Sequence, residues 1–202
     1  MKKIISLVTA LLLLLSVNAN AESLAPQQLI KNTSDNVLDI LEKNKAVYEK
    51  DPDQIYVLVN EVILPHLDFK AMSKLALGKH WRKANKEQRE AFIAVFKTML
   101  IRTYSKSLTE YTGQEVEYLP FRPQEGKKVV TVKTRINQDS GPSIPIDYRL
   151  RIKDDIWKVF DIKIDGISLV TNYRNSFAAD IREVGISGLI ERMNNKYRKK
   201  AT

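Results

Sequence analysis

At Gly113 the spacing of apolar residues changes from steps of three and four to steps of two, which divides the chain into a helical part and a sheet part. No Pro or Gly interrupts the segment from Lys86 to Tyr111. Within it Phe92, Val95, Phe96, Met99, Leu100, Tyr104, Leu108 and Tyr111 gather into one stripe. Lys86, Glu87, Arg89, Glu90, Lys97, Arg102 and Lys106 fall on the opposite side. Asn85 followed by Gln88 has capping-box spacing, so a helix of about seven turns is predicted here. Such a stripe reads first as core.

Upstream, Pro26 to Glu49 reads as a helix with Pro26 in its first turn. Asp51 then caps a second helix, with Pro52 at its first position and Ile55, Leu58, Val59, Val62 and Ile63 along it, ending near Pro65. A short third helix spans Asp68 to Leu77, with Gly78 as its C-terminal cap. Downstream, strands are predicted over Glu115 to Phe121, Lys128 to Asn137, Ile144 to Lys153 and Ile156 to Asp165. The turns between the last three, Asp139-Ser140-Gly141-Pro142 and Asp154-Asp155, are short, so the sheet is an antiparallel meander. Asp165-Gly166 closes it. Two helices follow, the first with Val170, Tyr173, Phe177, Ile181 and Val184, the second after Gly185 with Leu189, Ile190 and Met193, before a basic end at Lys196, Arg198, Lys199 and Lys200. The class is α+β: a curved antiparallel sheet of about four strands packed against helices from both termini, able to leave an apolar cleft between them.

Residues 1–21 read as a cleaved signal peptide rather than as part of the fold: Lys2 and Lys3, an apolar run from Ile4 to Leu15, and the small residues Ala19 and Ala21 flanking Asn20. The rest, 22–202, is expected to be a single domain, exported to the periplasm. The chain has no Cys, so there is no disulfide framework and no lipid-modified cysteine. Without the leader, 31 basic residues face 24 acidic ones. That balance suits an anionic membrane surface or an acidic protein face. Nucleic acid is not expected, because the cations are scattered and not interleaved with exposed aromatics.

Chemistry has little to be built from. His66 and His80 are the only histidines and read as surface or helix-end residues, so no metal site is expected. There is no Gly-rich phosphate loop and no nucleophile motif. Asp161 and Asp165 share a face, but Lys163 stands between them, which predicts a solvated, ion-paired face. No catalytic residue and no cofactor is assigned, and the chain does not read as an enzyme.

The string Leu77-Gly78-Lys79-His80-Trp81-Arg82-Lys83-Ala84 and the following Gln88-Arg89-Glu90-Ala91-Phe92, with Phe96 and Leu100, resemble the central motif of the toluene-tolerance family. Ile146-Asp147-Tyr148-Arg149-Leu150, Trp157-Lys158-Val159-Phe160-Asp161 and Asp165-Gly166-Ile167-Ser168-Leu169-Val170, then Tyr173-Arg174 and Phe177, resemble that family's sheet and the turn that ends it. The resemblance covers nearly the whole of 22–202, in order. It implies a soluble periplasmic shuttle that carries phospholipid between outer and inner membranes and so maintains outer-membrane lipid asymmetry. The implied partners are diacyl glycerophospholipid, the inner-membrane Mla ABC transporter complex, and the outer-membrane lipoprotein MlaA with its porin; a monomer is expected. Exposing two chains of ~16 carbons to water costs on the order of 25 kcal/mol at ~0.8 kcal/mol per methylene, so a carrier must hide both.

From periodicity, acyl chains are expected against Leu75, Trp81, Phe92, Phe96, Met99, Leu100 and Tyr104 on the helices. On the sheet the expected contacts are Ile144, Ile146, Tyr148, Leu150, Phe160 and Ile164, and after it Leu169, Val170 and Tyr173. Lys79, His80, Arg82 and Arg174 are candidates for the mouth near a head group. Two other readings fit the same chain: a periplasmic chaperone or adaptor that binds apolar protein segments, and a lipid-modifying enzyme on a pocketed α+β fold.

Overall fold

The protein is described by a computed structural model, over residues 25–109, 113–122, 126–138 and 140–198. The expected leader, Tyr111, the Asp139 position of one turn and Lys199 and Lys200 lie outside the described residues.

Helix α1 (Pro26–Lys43) starts on Pro26 and ends at Asn44, where the chain breaks before α2 (Lys45–Lys50). The single helix expected to Glu49 is thus two. Asp51 restarts the chain by accepting from the Asp53 backbone at 3.2 Å and the Gln54 side chain at 2.9 Å. The next segment tightens and loosens in turn: α3 (Gln54–Leu58), a π turn over Val59–Ile63 and a 3-10 turn over Leu64–His66. Helix α4 (Phe69–Leu77) is capped by the Asp68 carboxylate, which accepts from the Ala71 backbone at 3.0 Å. A 3-10 turn over Gly78–Arg82 leads to α5 (Lys86–Thr109). The expected capping box is present: the Asn85 backbone donates to the Gln88 side chain at 3.1 Å, and the Gln88 backbone donates to the Asn85 side chain at 2.8 Å.

The sheet has five antiparallel strands in the order β1-β2-β3-β4-β5: β1 (Val116–Tyr118), β2 (Val129–Ile136), β3 (Ile144–Lys153), β4 (Ile156–Ile164) and β5 (Ile167–Ser168). About four were expected, and the fifth is the two residues after Asp165-Gly166. Both turn residues have positive φ, 50° and 77°, as do Asp154 and Asp155 in the preceding hairpin, 50° and 58°. Left-handed pairs make the two-residue turn whose twist matches that of the strands, so Asp165-Gly166 extends the sheet rather than closing it. Helix α6 (Leu169–Arg198) follows, broken at Gly185 (φ 71°, ψ 178°), as the two-helix reading expects.

The inward sheet face is set by register. Val130, Leu150 and Val159 form one rung, Val132, Tyr148 and Ile162 the next, and Thr134, Ile146 and Ile164 a third. A bulge interrupts β4, because Leu150 pairs with Val159 and Arg149 with Asp161, leaving Phe160 without a partner. Among the described residues, buried apolar side chains fall into three clusters. The largest joins α4, α5 and α6; the second sets Leu29 and Ile30 of α1 against Val132, Leu150, Trp157 and Val159; the third holds Val37, Leu41, Ile55 and Leu58.

Candidate functional site

A domain of this size usually has one contiguous core, and what lies between three separate clusters is therefore informative. In the largest cluster the aromatic rings are fully engaged. Phe92 and Phe96 stack at 5.4 Å between centroids, Tyr173 and Phe177 stack at 5.5 Å, and the two pairs meet edge to face at 5.5 to 5.9 Å. Trp81 is buried as well, its carbonyl accepting from Arg89 Nε at 3.0 Å. Here Trp81, Phe92, Phe96, Met99, Leu100, Leu169 and Val170 are closed core, so these members of the expected lining pack on protein.

The inward sheet face is different. Val132, Thr134, Leu150 and Val159 on it are buried, whereas Ile144, Ile146, Tyr148, Ile162 and Ile164 on β3 and β4 remain half-buried. Helix α5 has the same division along its length. It is closed at Phe92 to Leu100 and half-buried at Ile101, Tyr104 and Leu108, where Val62 and Ile63 of the π turn and Tyr173 are half-buried too. The half-buried residues form an apolar seam along the borders of the clusters: Tyr104, Ile162, Ile164 and Tyr173 pack against the largest, Tyr148 and Ile162 against the second, and Val62, Ile63 and Leu108 against the third. Tyr148 borders the seam: burial pushes its hydroxyl up to about 12, against a hydrogen bond with Thr134 that lowers it, although the ring keeps accessible surface. Tyr173 is also held above the ordinary phenol range, first by burial and then by its hydrogen bond with Tyr104.

Of the expected lining, Leu75, Tyr104, Ile144, Ile146, Tyr148, Ile164 and Tyr173 are half-buried. Phe160 stands apart. The bulge turns its ring toward the outward face, where its centroid lies 4.8 Å from the Arg149 guanidinium carbon. Ile162, Ile101, Leu108, Val62 and Ile63 were absent from the expected set. Ile162 was recoverable from its alternation with Ile164, but the others depend on which turn of each helix meets the sheet. The expected mouth residues do not converge. Lys79 and Arg82 are exposed, and Arg174 Nε donates to the Leu75 carbonyl at 2.7 Å, tying α6 to the end of α4. His80 is buried rather than at the surface, and burial followed by Lys79, Lys83 and Arg182 holds it below the usual histidine range.

Asp161 also departs from expectation. It is 1% exposed rather than solvated, accepts from the Ser168 hydroxyl at 2.9 Å, and lies 3.4 Å from Arg149. It holds β3, β4 and the start of α6 together. Asp165 is exposed in its turn, so the two carboxylates do not form a pair. Among the described residues no group of three or more His, Cys, Asp or Glu side chains is placed to hold a metal ion. None of the described helices is long and apolar enough to cross a membrane.

A solved phospholipid-binding protein from Ralstonia solanacearum, in complex with a phospholipid, shares the fold with a TM-score of 0.79 at 32% identity, covering 87% of this chain and 98% of that one. Toluene tolerance protein ttg2D of Pseudomonas putida is 29% identical over 161 residues, 79% of this chain and 74% of its own length. The intermembrane phospholipid transport system binding protein MlaC of Haemophilus influenzae is 23% identical over 172 residues, 84% of this chain and 80% of its own. A family model for MlaC protein matches residues 31–195, most of the length of the chain, which therefore belongs to the MlaC family.

Proposed function

We propose that this chain is a soluble periplasmic carrier that takes phospholipid acyl chains into the seam between sheet and helices and moves phospholipid between the outer and inner membranes, maintaining outer-membrane lipid asymmetry. The observation that carries the reading is the half-buried apolar row Ile144, Ile146, Tyr148, Ile162 and Ile164 on the inward sheet face, whose Ile162 and Ile164 pack against the same cluster as half-buried Tyr104. Burying two chains there offsets the ~25 kcal/mol that their exposure would cost. The phospholipid held by the Ralstonia protein of the same fold supports the ligand class. The name of the Haemophilus relative supports a transport role. In this reading residues 1–21 are a leader removed after Ala21, residues 22–202 form the lipid-binding domain, and the partners are an inner-membrane ABC transporter complex and an outer-membrane lipoprotein with its porin.

Among the described residues the seam has apolar capacity and hydroxyls but no nucleophile with a base beside it, which supports carriage of cargo unchanged. The test is mass spectrometry of lipid extracted from protein purified from the periplasmic fraction. Intact diacyl phospholipid in stoichiometric amount is expected. Lysolipid or free fatty acid would instead identify an enzyme, and protein that carries no lipid would favour a chaperone or adaptor.

A further inference from the structure

The outward face of the sheet is basic, open and not used by the seam. Its rungs follow from the same register as the inward ones. Lys133, Asp147 and Lys163 lie side by side across β2, β3 and β4, then Thr131, Arg149 and Asp161; nearer the β3–β4 turn Val129 flanks Arg151 and Lys158, and Lys153 faces Ile156. The first turn of α6 borders the face at one edge, where Thr171, Asn172 and Asn175 meet Arg149 and Lys163.

The carboxylates cancel only part of this charge. Buried Asp161 takes Arg149, buried Asp68 takes Arg151 and lies 3.9 Å from Lys153, and Glu117 lies 3.9 Å from Arg135, while Asp147 stands between Lys133 and Lys163. Asp154, Asp155 and Asp165 lie in turns at the ends of the face. Two more cations, Arg122 and Lys127, edge a shallow cleft of about 380 Å³ over Thr131, Lys133 and Arg149. Beside them Val129 and Ile156, each 51% exposed, stand among Arg151 and Lys153.

We infer that this face docks reversibly on an anionic phospholipid bilayer, with the lysines over the head groups and Val129 and Ile156 at the interface. Charge sign alone fits an acidic protein equally, but residue type does not. Protein interfaces concentrate Trp, Tyr, Phe and Met anchors in a desolvated centre and are depleted in Lys. Among the described residues this face has Lys at its middle, its aromatics are the half-buried Phe121 and Phe160 buried beneath Arg149, and its exposed apolar residues Val129, Ile156 and Ile167 are separate aliphatics. Dispersed cations with small aliphatic insertions match a plane of mobile phosphates, which rearrange to meet each charge and need no shape complementarity.

The experiment is vesicle co-sedimentation of the mature protein with phosphatidylcholine alone and with phosphatidylcholine containing about 30% phosphatidylglycerol. Binding to the anionic vesicles at low salt, weakened at least about tenfold by several hundred millimolar salt and by omission of phosphatidylglycerol, is the expected result. The pair Lys133→Glu with Lys163→Glu should weaken binding by at least about tenfold, whereas Lys45→Glu with Lys50→Glu, an equal change in net charge on α2, should not. The Lys45 and Lys50 pair is exposed and should leave the melting temperature and the bound lipid per protein unchanged. Lys133→Glu with Lys163→Glu, in contrast, sets three carboxylates side by side with Asp147, so Lys133→Gln with Lys163→Gln, which should keep both, is measured with it and should also weaken binding. Val129→Asn with Ile156→Asn should give a smaller loss that salt does not mask. Equal losses for the two charge-reversed pairs would mean that net charge alone attracts the vesicles. Failure to sediment with anionic vesicles at low salt would also overturn the inference. The readout is vesicle association rather than lipid content, so either result leaves the carrier reading to be judged separately.

Discussion

Tyr148 and Phe96 were alike in the sequence, each a large aromatic on the apolar side of a periodic element, yet they face different surroundings. Phe96 is fully buried among three other rings, and a charge there has no solvent to turn to. Phe96→Asp should therefore fail to fold, and Phe96→Ala should cost about 3–5 kcal/mol by chemical denaturation. Tyr148 borders the seam. Tyr148→Asp should fold and lose most of its lipid by mass spectrometry, and retention of lipid at the wild-type ratio would remove Tyr148 from the lining. Tyr148 also gives a pH signature. Its neutral form is favoured in the folded protein, so its contribution is intact below the ordinary value of 10 and is lost as pH rises toward about 12. Unfolding free energy should drop across that window by on the order of 2 kcal/mol from this residue, and Tyr148→Phe should flatten the drop in alkaline denaturation curves. Exposure of the ring tempers the size and not the sign.

Among the elements, the signals that rest on a few adjacent residues were the legible ones. Asn85 with Gln88, Gly78 as a C-terminal cap, Pro26 at a helix start and alternation through Ile144–Lys153 each need only their neighbours, and each is present. Gly185 belongs with them. Its φ of 71° with ψ of 178° is a conformation that a Cβ makes costly, and nothing lies within 4 Å of a Cβ built there, so strain acts without a clash. Gly185→Ala should cost about 1–3 kcal/mol, a fall of a few degrees in melting temperature by calorimetry, while Gly166→Asn, in a turn that tolerates Asn, should cost less. Features that depend on partners elsewhere were hidden. The π turn at Val59–Ile63 continues the same apolar spacing as a helix, and the β4 bulge is defined only against β3. That bulge is why Phe160, in phase with Ile162 and Ile164 on paper, points the other way. The Asp165-Gly166 pair did carry a hairpin signal, but a strand of two residues has no periodicity to announce it.

For the molecule as a whole, the α+β class and the antiparallel meander follow from the change of period at Gly113, because short turns leave few topologies open. The site did not follow in the same way. Periodicity assigns a residue to a face, whereas separating packed core from seam requires knowing how closely two layers approach, which is a sum over the entire fold. Hence Phe92 and Ile146 were indistinguishable until both layers were placed. Charge, being additive, was legible: the excess of 31 basic over 24 acidic residues in 22–202 predicts long-range attraction to anionic partners. Transfer of lipid to the reconstituted transporter complex should accordingly slow as salt rises from tens to hundreds of millimolar and the screening length falls from roughly 30 Å toward 8 Å, while cargo already bound stays bound. Stopped-flow traces whose rates ignore salt would limit the basic surface to solubility.

Asp68 has a further consequence, for the order in which the protein folds. One carboxylate oxygen caps α4 through the Ala71 amide, three residues away, and the other is held by Arg151, 83 residues away in sequence; its own amide donates to the Val159 carbonyl at 2.8 Å. The first bond can form while the rest of the chain is still random coil, and the other two must wait for the β3–β4 hairpin. Asp68→Asn keeps a capping oxygen but surrenders the ion pair, so in a chevron plot it should speed unfolding and leave the refolding limb almost unmoved. Asp68→Ala removes both, and any slowing of refolding beyond that of the Asn variant measures how far α4 is already wound when the two halves of the chain first meet.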